Sequence, residues 1–206
     1  MPTSLFLPGP PGSLPPVQVL VVDGFEPGQG QDAIEQVTAW VEGAGHEVHH
    51  LPLAERGFDA CMTAAEREAY HTDEPLITPE ARAAADAVLA AEAIVICYPI
   101  VHGTAPARVK SWQERVFVLG MAFRFAPSGR ITGALDHLHR ALVLGVASSP
   151  TAPGWRRDPG RRNAFGPCLA RSFFLSSNRT CRSRYVTLPA GSDRARRQIG
   201  RWPTRN

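Results

Sequence analysis

The sequence predicts an open α/β fold, a doubly wound parallel sheet with helices on both faces, and three observations carry that expectation. Residues 93–98 (AIVICY) form a short apolar run with β-branched residues and no alternation, the pattern of a strand covered on both sides. A turn and an amphipathic stretch follow it at once, as a strand, loop and helix unit requires. The same alternation of short apolar runs with helical periods recurs along most of the chain.

Taken in order, residues 17–23 (VQVLVVD) read as the first buried strand, and 24–31 (GFEPGQGQ) as the loop after it. A helix over 32–42 turns Ile34, Val37 and Val41 inward, and Gly45 breaks it. Residues 46–53 are a second strand whose mixed pattern suits a sheet edge. A short helix within 59–70 leads to Tyr70. A longer helix spans 78–91, opened by Thr78 as N-cap, Pro79 at its first position and Glu80 near the positive end of its dipole. After the strand at 93–98, Pro99 is expected to end the strand, Thr104 to cap the next helix, and Pro106 to stand in its first turn. That helix, 105–119, directs Val109, Trp112, Val116 and Leu119 inward and Lys110, Gln113 and Glu114 outward. A polar excursion at 127–139, a strand at 140–147, a loop and helix at 159–175, a strand at 182–188 and a closing helix at 192–202 complete the alternation.

Composition bounds the rest. With 206 residues, 44% hydrophobic and 20% charged, the chain fits one globular domain, read here as 17–206 after a Pro-rich leader at 1–16. The leader carries proline at 2, 8, 10, 11, 15 and 16 and lacks the basic start and cleavage site of a signal peptide, so it reads as a disordered extension or a mis-called start. No apolar run approaches the length of a membrane span. Cys61, Cys97, Cys168 and Cys181 form no CxxC pair, which points to reduced thiols and a cytoplasmic setting. Residues 1–150 hold nine Lys or Arg against 17 Asp or Glu, a net −8, whereas 151–206 hold 13 Arg against two Asp, a net +11. No nucleic-acid module accompanies the basic block, so pairing with the acidic part, within or between chains, is the expectation. His49-His50 and His137-x-His139 lack both a third ligand and helical spacing, so no metal site is expected. No GxSxG elbow, GxGxxG or P-loop is present.

One ordered run of residues is more specific. Pro99, Pro106-Ala107, Lys110, Trp112, Glu114-Arg115-Val116-Phe117 and Gly120-Met121-Ala122-Phe123 resemble the pattern of the NAD(P)H:quinone oxidoreductase family of flavodoxin-like flavoproteins, with fainter similarity from about residue 17 to 202. The resemblance implies a flavodoxin-like five-stranded parallel sheet in the order 2-1-3-4-5, which the right-handed crossover rule permits. It also implies FAD or FMN as cofactor, NAD(P)H as electron donor and a quinone-like small molecule as acceptor, reduced by two-electron hydride transfer. A homodimer is implied as well, for which Phe117, Met121, Phe123 and Phe125 are expected as exposed apolar groups.

Carried over position by position, the resemblance places a cofactor site on three loops at the carboxyl edge of the sheet. The first holds Gly24, Phe25, Gln29 and Gln31, where relatives use imidazole and hydroxyl groups for the flavin phosphate and this chain must use backbone N–H groups. The second holds Pro99, Ile100, Val101, His102 and Gly103, where relatives carry aromatics beside the flavin ring. Gly103 removes one such wall, so Gly103→Phe should tighten flavin binding unless that residue needs a positive φ. The third holds Ser148 and Ser149, which keep hydroxyl donors, and Trp155, in place of a family tyrosine. No counterpart of the family's hydride-assisting histidine is found, and the catalytic residues stay unassigned. The altered loops also leave a second expectation open, a flavodoxin-fold docking protein like the ancillary subunits of potassium-efflux systems.

Overall fold

A computed structural model describes residues 16–72, 74–147 and 165–189. Its centre is a five-stranded parallel sheet of β1 (Gln18–Asp23), β2 (Glu47–Pro52), β3 (Ala93–Ile100), β6 (Arg140–Ala147) and β7 (Arg182–Pro189), in the order β2-β1-β3-β6-β7. Counted within the sheet this is 2-1-3-4-5. The remaining two strands, β4 (Phe123–Phe125) and β5 (Ile131–Gly133), form a separate antiparallel ribbon. The helices are α1 (Gln31–Gly43), α2 (Ala64–Ala69), α3 (Pro79–Ala90), α4 (Ala107–Val116) and α5 (Phe165–Ser176).

The alternation of side chains along each strand divides the core in two. Val19, Val21, Val95, Cys97, Leu142 and Leu144 face α1, where Val37 and Val41 meet them. Leu20, Val22, Ile94, Ile96, Tyr98 and Val143 face the opposite layer of α3, α4 and α5. Each such aliphatic side chain, fully buried, contributes roughly 1.5–3 kcal/mol. On α3, Thr78 accepts from the Ala81 N–H at 3.4 Å as N-cap, with Pro79 following. Positive φ at Gly45 closes α1, where Gly45 N–H donates to the Glu42 carbonyl at 2.9 Å.

The structure corrects several boundaries. Pro99 does not end β3, because β1 stops at Asp23, opposite Cys97, and the last residues of β3 pair only with β6, through Pro99↔Val146 and Ile100↔Ala147. A strand paired on one side tolerates a proline. Thr104 is no helix cap. It exchanges both backbone bonds with Val101, at 2.9 Å each, around a tight turn whose central residues His102 and Gly103 have φ of 48° and 77°. The helix starts later, with Pro106 as its N-cap and no side-chain cap. It also ends sooner, at Val116, so Leu119 lies beyond it, bridged to Phe123. The region 59–70 is helical only over α2, with Tyr70 as its C-cap. The excursion at 127–139 contains β5, the second arm of the ribbon.

Two of the expected exposed apolar groups are core. Phe117 packs edge-on against Trp112 and Phe173, with ring centroids 5.4 Å and 5.1 Å away, and Met121 is buried beside them in the same layer. Phe123 is half-buried, and Phe125 is exposed. The four cysteines are free thiols, Cys97 and Cys181 buried, Cys61 and Cys168 exposed. Burial raises the Cys97 thiol far above its ordinary value and pushes Cys181 up to about 12. The ion pairs between described residues, such as Arg108 with Glu26 and Arg124 with Asp136, join groups within the first 150 positions. The closing helix at 192–202 lies outside the described residues.

Candidate functional site

In the order β2-β1-β3 the chain leaves β1 for one edge and returns through β3 toward the other, so the loops after these two strands flank one opening at the carboxyl end of the sheet. Open α/β folds bind ligands at that opening. The loop after β1 is held down at its root. Gly24 N–H donates to the Cys97 carbonyl at 2.8 Å, and a Cβ on Gly24 would stand 2.6 Å from Val109 Cγ2 and 2.8 Å from Tyr98 Cβ. Only glycine lets α4 approach so closely. Gly24 is therefore a packing residue, and a ligand would meet its neighbours instead.

Further along, Phe25 N–H donates to Asp23 Oδ1 at 2.9 Å, and Asp23 Oδ2 lies 3.3 Å from His50 Nε2 at the end of β2. The Phe25 ring lies where a side chain on Gly30 would have to go. Gly28 and Gly30 have φ of 76° and 68°, and Gly30 is the N-cap of α1. Between them the Gln29 N–H donates to the Glu26 carbonyl at 2.9 Å, which closes the loop ahead of α1. The first-turn amides of Gln31 and Asp32 have no acceptor among the described residues, and a Cβ on Gly28 would meet nothing within 4 Å. Gln29 and Gln31 are exposed here. An anion can be held at such a place by backbone amides and the α1 dipole. Two carboxylates act against it, Glu26 in the loop and Asp32 in the first turn of α1.

The second loop stands beside the first because α4 binds both. Val101 and His102 are exposed, Pro99 and Gly103 half-buried. Ile100 is buried, its Cδ1 3.0 Å from where a Cβ on Gly145 would be. It supports the site from below. The positive φ of Gly103 answers the condition on Gly103→Phe, since phenylalanine is strained in that conformation whatever the ligand. Ser148, Ser149 and Trp155 lie outside the described residues.

Sequence reasoning placed none of Arg108, Asp59 and Asp23 at the site. Arg108, one position before the apolar Val109, is buried, with Nη1 2.8 Å from the Phe25 carbonyl oxygen and Nη2 2.6 Å from Glu26 Oε1 and 2.9 Å from Asp59 Oδ1. Helical periodicity marks hydrophobic residues, and an arginine on the inner face leaves no trace in it. A groove of about 710 Å³ between α3 and the β1–β2 edge, lined by His49, Leu51, Arg56 and Ala87, includes none of the expected cofactor residues. Among the described residues no three His, Cys, Asp or Glu side chains converge as a metal set, and no helix is long and apolar enough to cross a membrane.

The chain belongs to the flavodoxin-like fold family, whose model matches residues 18–166. A stretch of 48 residues is 42% identical to an FMN-dependent NADH:quinone oxidoreductase of Methylorubrum populi, a match covering 23% of this chain and about a quarter, 24%, of that relative. Among solved structures, the NAD(P)H:quinone oxidoreductase from Methanothermobacter marburgensis superposes with a TM-score of 0.67 at 19% identity, over 91% of this chain and 99% of its own. An FMN-dependent NADH-azoreductase from Bacillus anthracis str. Ames Ancestor, solved in complex with FMN, gives 0.63 at 14% identity, over 89% of this chain and 96% of its own. At these identities the solved structures speak for the fold.

The residues present fit a flavin's phosphate end through backbone amides, with open space at Gly28, and its ring end through the exposed turn Val101–Thr104.

Proposed function

We propose that the protein is a flavin-dependent NAD(P)H oxidoreductase that reduces quinones or related electrophiles by two-electron hydride transfer, with FMN or FAD as its cofactor. The observation that carries this reading is the convergence, at the β1/β3 opening, of an amide-lined loop entering α1 and a tight turn leading to α4. The activities of the relatives above, quinone and azo reduction with FMN, support the reaction class.

In this reading the amides of Gly30, Gln31 and Asp32 hold the phosphate, with Gln29 and Gln31 side chains at its rim. Val101, His102 and Gly103 border the ring. A bound flavin supplies the hydride chemistry itself, accepting from NAD(P)H and donating to the acceptor. The chain contributes position, an apolar floor at Ile100, and a fixed field.

The functional unit is a homodimer in a cytoplasmic setting. The cross-strand pair Phe125↔Ile131 on the β4–β5 ribbon supports a second copy as partner, being 61% and 64% exposed side by side. The carboxylates of Glu26 and Asp32 near the phosphate loop favour one other reading, a docking protein of the same fold with weakened cofactor binding.

Soaking the purified protein with FMN and FAD, desalting it and recording the visible spectrum separates the two. Bound flavin with NAD(P)H oxidation in the presence of a quinone is the expected result. A colourless protein that gives no heat with either flavin in calorimetry would leave the docking reading.

A further inference from the structure

Arg108 stands in the first turn of α4 with its side chain only 9% exposed. A guanidinium so placed must have its donors matched. Its partners belong to two other segments of the chain: the Phe25 carbonyl and the Glu26 carboxylate in the loop after β1, and the Asp59 carboxylate ahead of α2. These bonds differ in kind. Glu26 and Asp59 are 56% and 60% exposed, so water competes with both, and such pairs contribute little. The bond to the Phe25 carbonyl is buried, and no other donor to that oxygen occurs among the described residues.

Phe25 is also the residue whose ring fills the space over Gly30, the N-cap of α1. A force on the Phe25 backbone is thus passed to the turn that aims the first amides of the helix. We propose that Arg108 is the positioning residue of the β1–α1 loop: by holding the Phe25 carbonyl against α4 it sets the direction of the amides at 30–32 and hence their affinity for a phosphate monoester. The identity of that ligand rests on the flavin reading above. Lysine cannot take the place of arginine here, because one ammonium cannot span the carbonyl and the carboxylates as a planar fork does.

The test compares Arg108→Lys, Arg108→Met and Glu26→Gln with the parent. Amide exchange is read over residues 25–34, and affinity is measured for FMN and for riboflavin, which has the same ring and no phosphate. Both Arg108 variants should exchange faster at the bonded amides of Phe25, Gln29, Ala33 and Ile34, bind FMN about tenfold more weakly or worse, and bind riboflavin as the parent does. Glu26→Gln, which keeps the carbonyl bond and removes a repelling charge, should bind FMN as well or better. An equal loss for FMN and riboflavin, an unchanged FMN affinity, unchanged exchange, or an FMN loss in Glu26→Gln matching that of Arg108→Lys would overturn the assignment. If Arg108→Met does not fold, Arg108→Lys, which keeps the stem and charge, decides alone. If the parent binds neither compound, the flavin reading falls, and the exchange data still judge Arg108: no change there refutes its role.

Discussion

Arg115 Nε donates to Glu66 Oε1 at 2.7 Å, with the two side chains only 6% and 4% exposed. The rest of the guanidinium is equally engaged, donating to the Gly57 carbonyl at 2.9 Å and to Thr78 Oγ1 at 3.3 Å and lying over the Phe58 ring at 5.1 Å. Glu66 in turn completes a capping box, accepting from the Thr63 N–H at 2.8 Å. One ion pair therefore fastens α2, the start of α3 and the chain at 57–58 to α4. Arg115→Met leaves the Glu66 carboxylate buried without its counter-charge and should cost about 3–5 kcal/mol. Urea unfolding would measure it, and Arg115→Met combined with Glu66→Gln should be less damaging than Arg115→Met alone.

The same pair predicts an acid limb. Burial by itself pushes the Glu66 carboxyl up, but the Thr63 N–H, the Arg115 guanidinium and the Thr63 hydroxyl together hold it below the ordinary value of 4.5. A depressed carboxylate stabilises the fold fully above its unfolded value, and that stabilisation is lost as pH falls through the lower folded one. The parent's urea midpoint should thus drop below pH 4.5 more steeply than that of Glu66→Gln. Asp136 is shifted the same way, by Arg124 and then Asn178, so Asp136→Asn serves as the second control.

The turn at Val101–Thr104 tells where an aromatic wall can be added. Gly103 and His102 both occupy left-handed backbone, whereas Val101 is an exposed bridge residue paired with Thr104. Val101→Trp should fold normally and tighten FMN binding several-fold, up to about tenfold for a gain of roughly 0.5–1.5 kcal/mol. Gly103→Phe should lose stability first. Fluorescence titration of both, after thermal melts, checks the order.

The ribbon predicts assembly. Light scattering of the parent should give a dimer, and Phe125→Ser with Ile131→Ser should give a monomer with an unchanged far-ultraviolet spectrum. A parent that remains monomeric over a broad concentration range would remove the second copy from the proposal.

The centre of the sheet was legible because β1, β3 and β6 are buried on both faces: an unbroken apolar run such as Ala93–Tyr98 has few alternatives, and β6 matches its expected span to the residue. Features set by a single distant contact were not. Nothing local separates Thr104 as a cap from Thr104 as a bridge partner, since the choice depends on how His102 and Gly103 turn. Phe117 and Met121 read as exposed because so many apolar groups crowd near one helix end, yet both are buried in the layer that holds Phe173 of α5. Of the proposed site, what was legible is that loops follow β1 and β3 at the carboxyl end of the sheet. Its polar fastening through Arg108 was not, because a charge facing inward contradicts the periodicity from which the helix was read.

The ribbon is fastened to the domain through residues made much later. Asn178, in left-handed conformation beyond α5, accepts from the Gly133 N–H at 2.8 Å and donates to the Gly133 carbonyl at 3.1 Å and to Asp136 Oδ1 at 2.7 Å. A side chain on Gly133 would collide with the Ser176 carbonyl, so the fit is close. Asn178 lies 45 positions past Gly133. At about 5–20 residues per second on the ribosome, the ribbon emerges about 2–9 s before the residue that holds it. During that interval Phe125 and Ile131 are displayed on an unanchored hairpin, and nascent chains on one message stand close together. The apolar tip is then a hazard in the growing chain, and the lag sets how long a chaperone has to cover it.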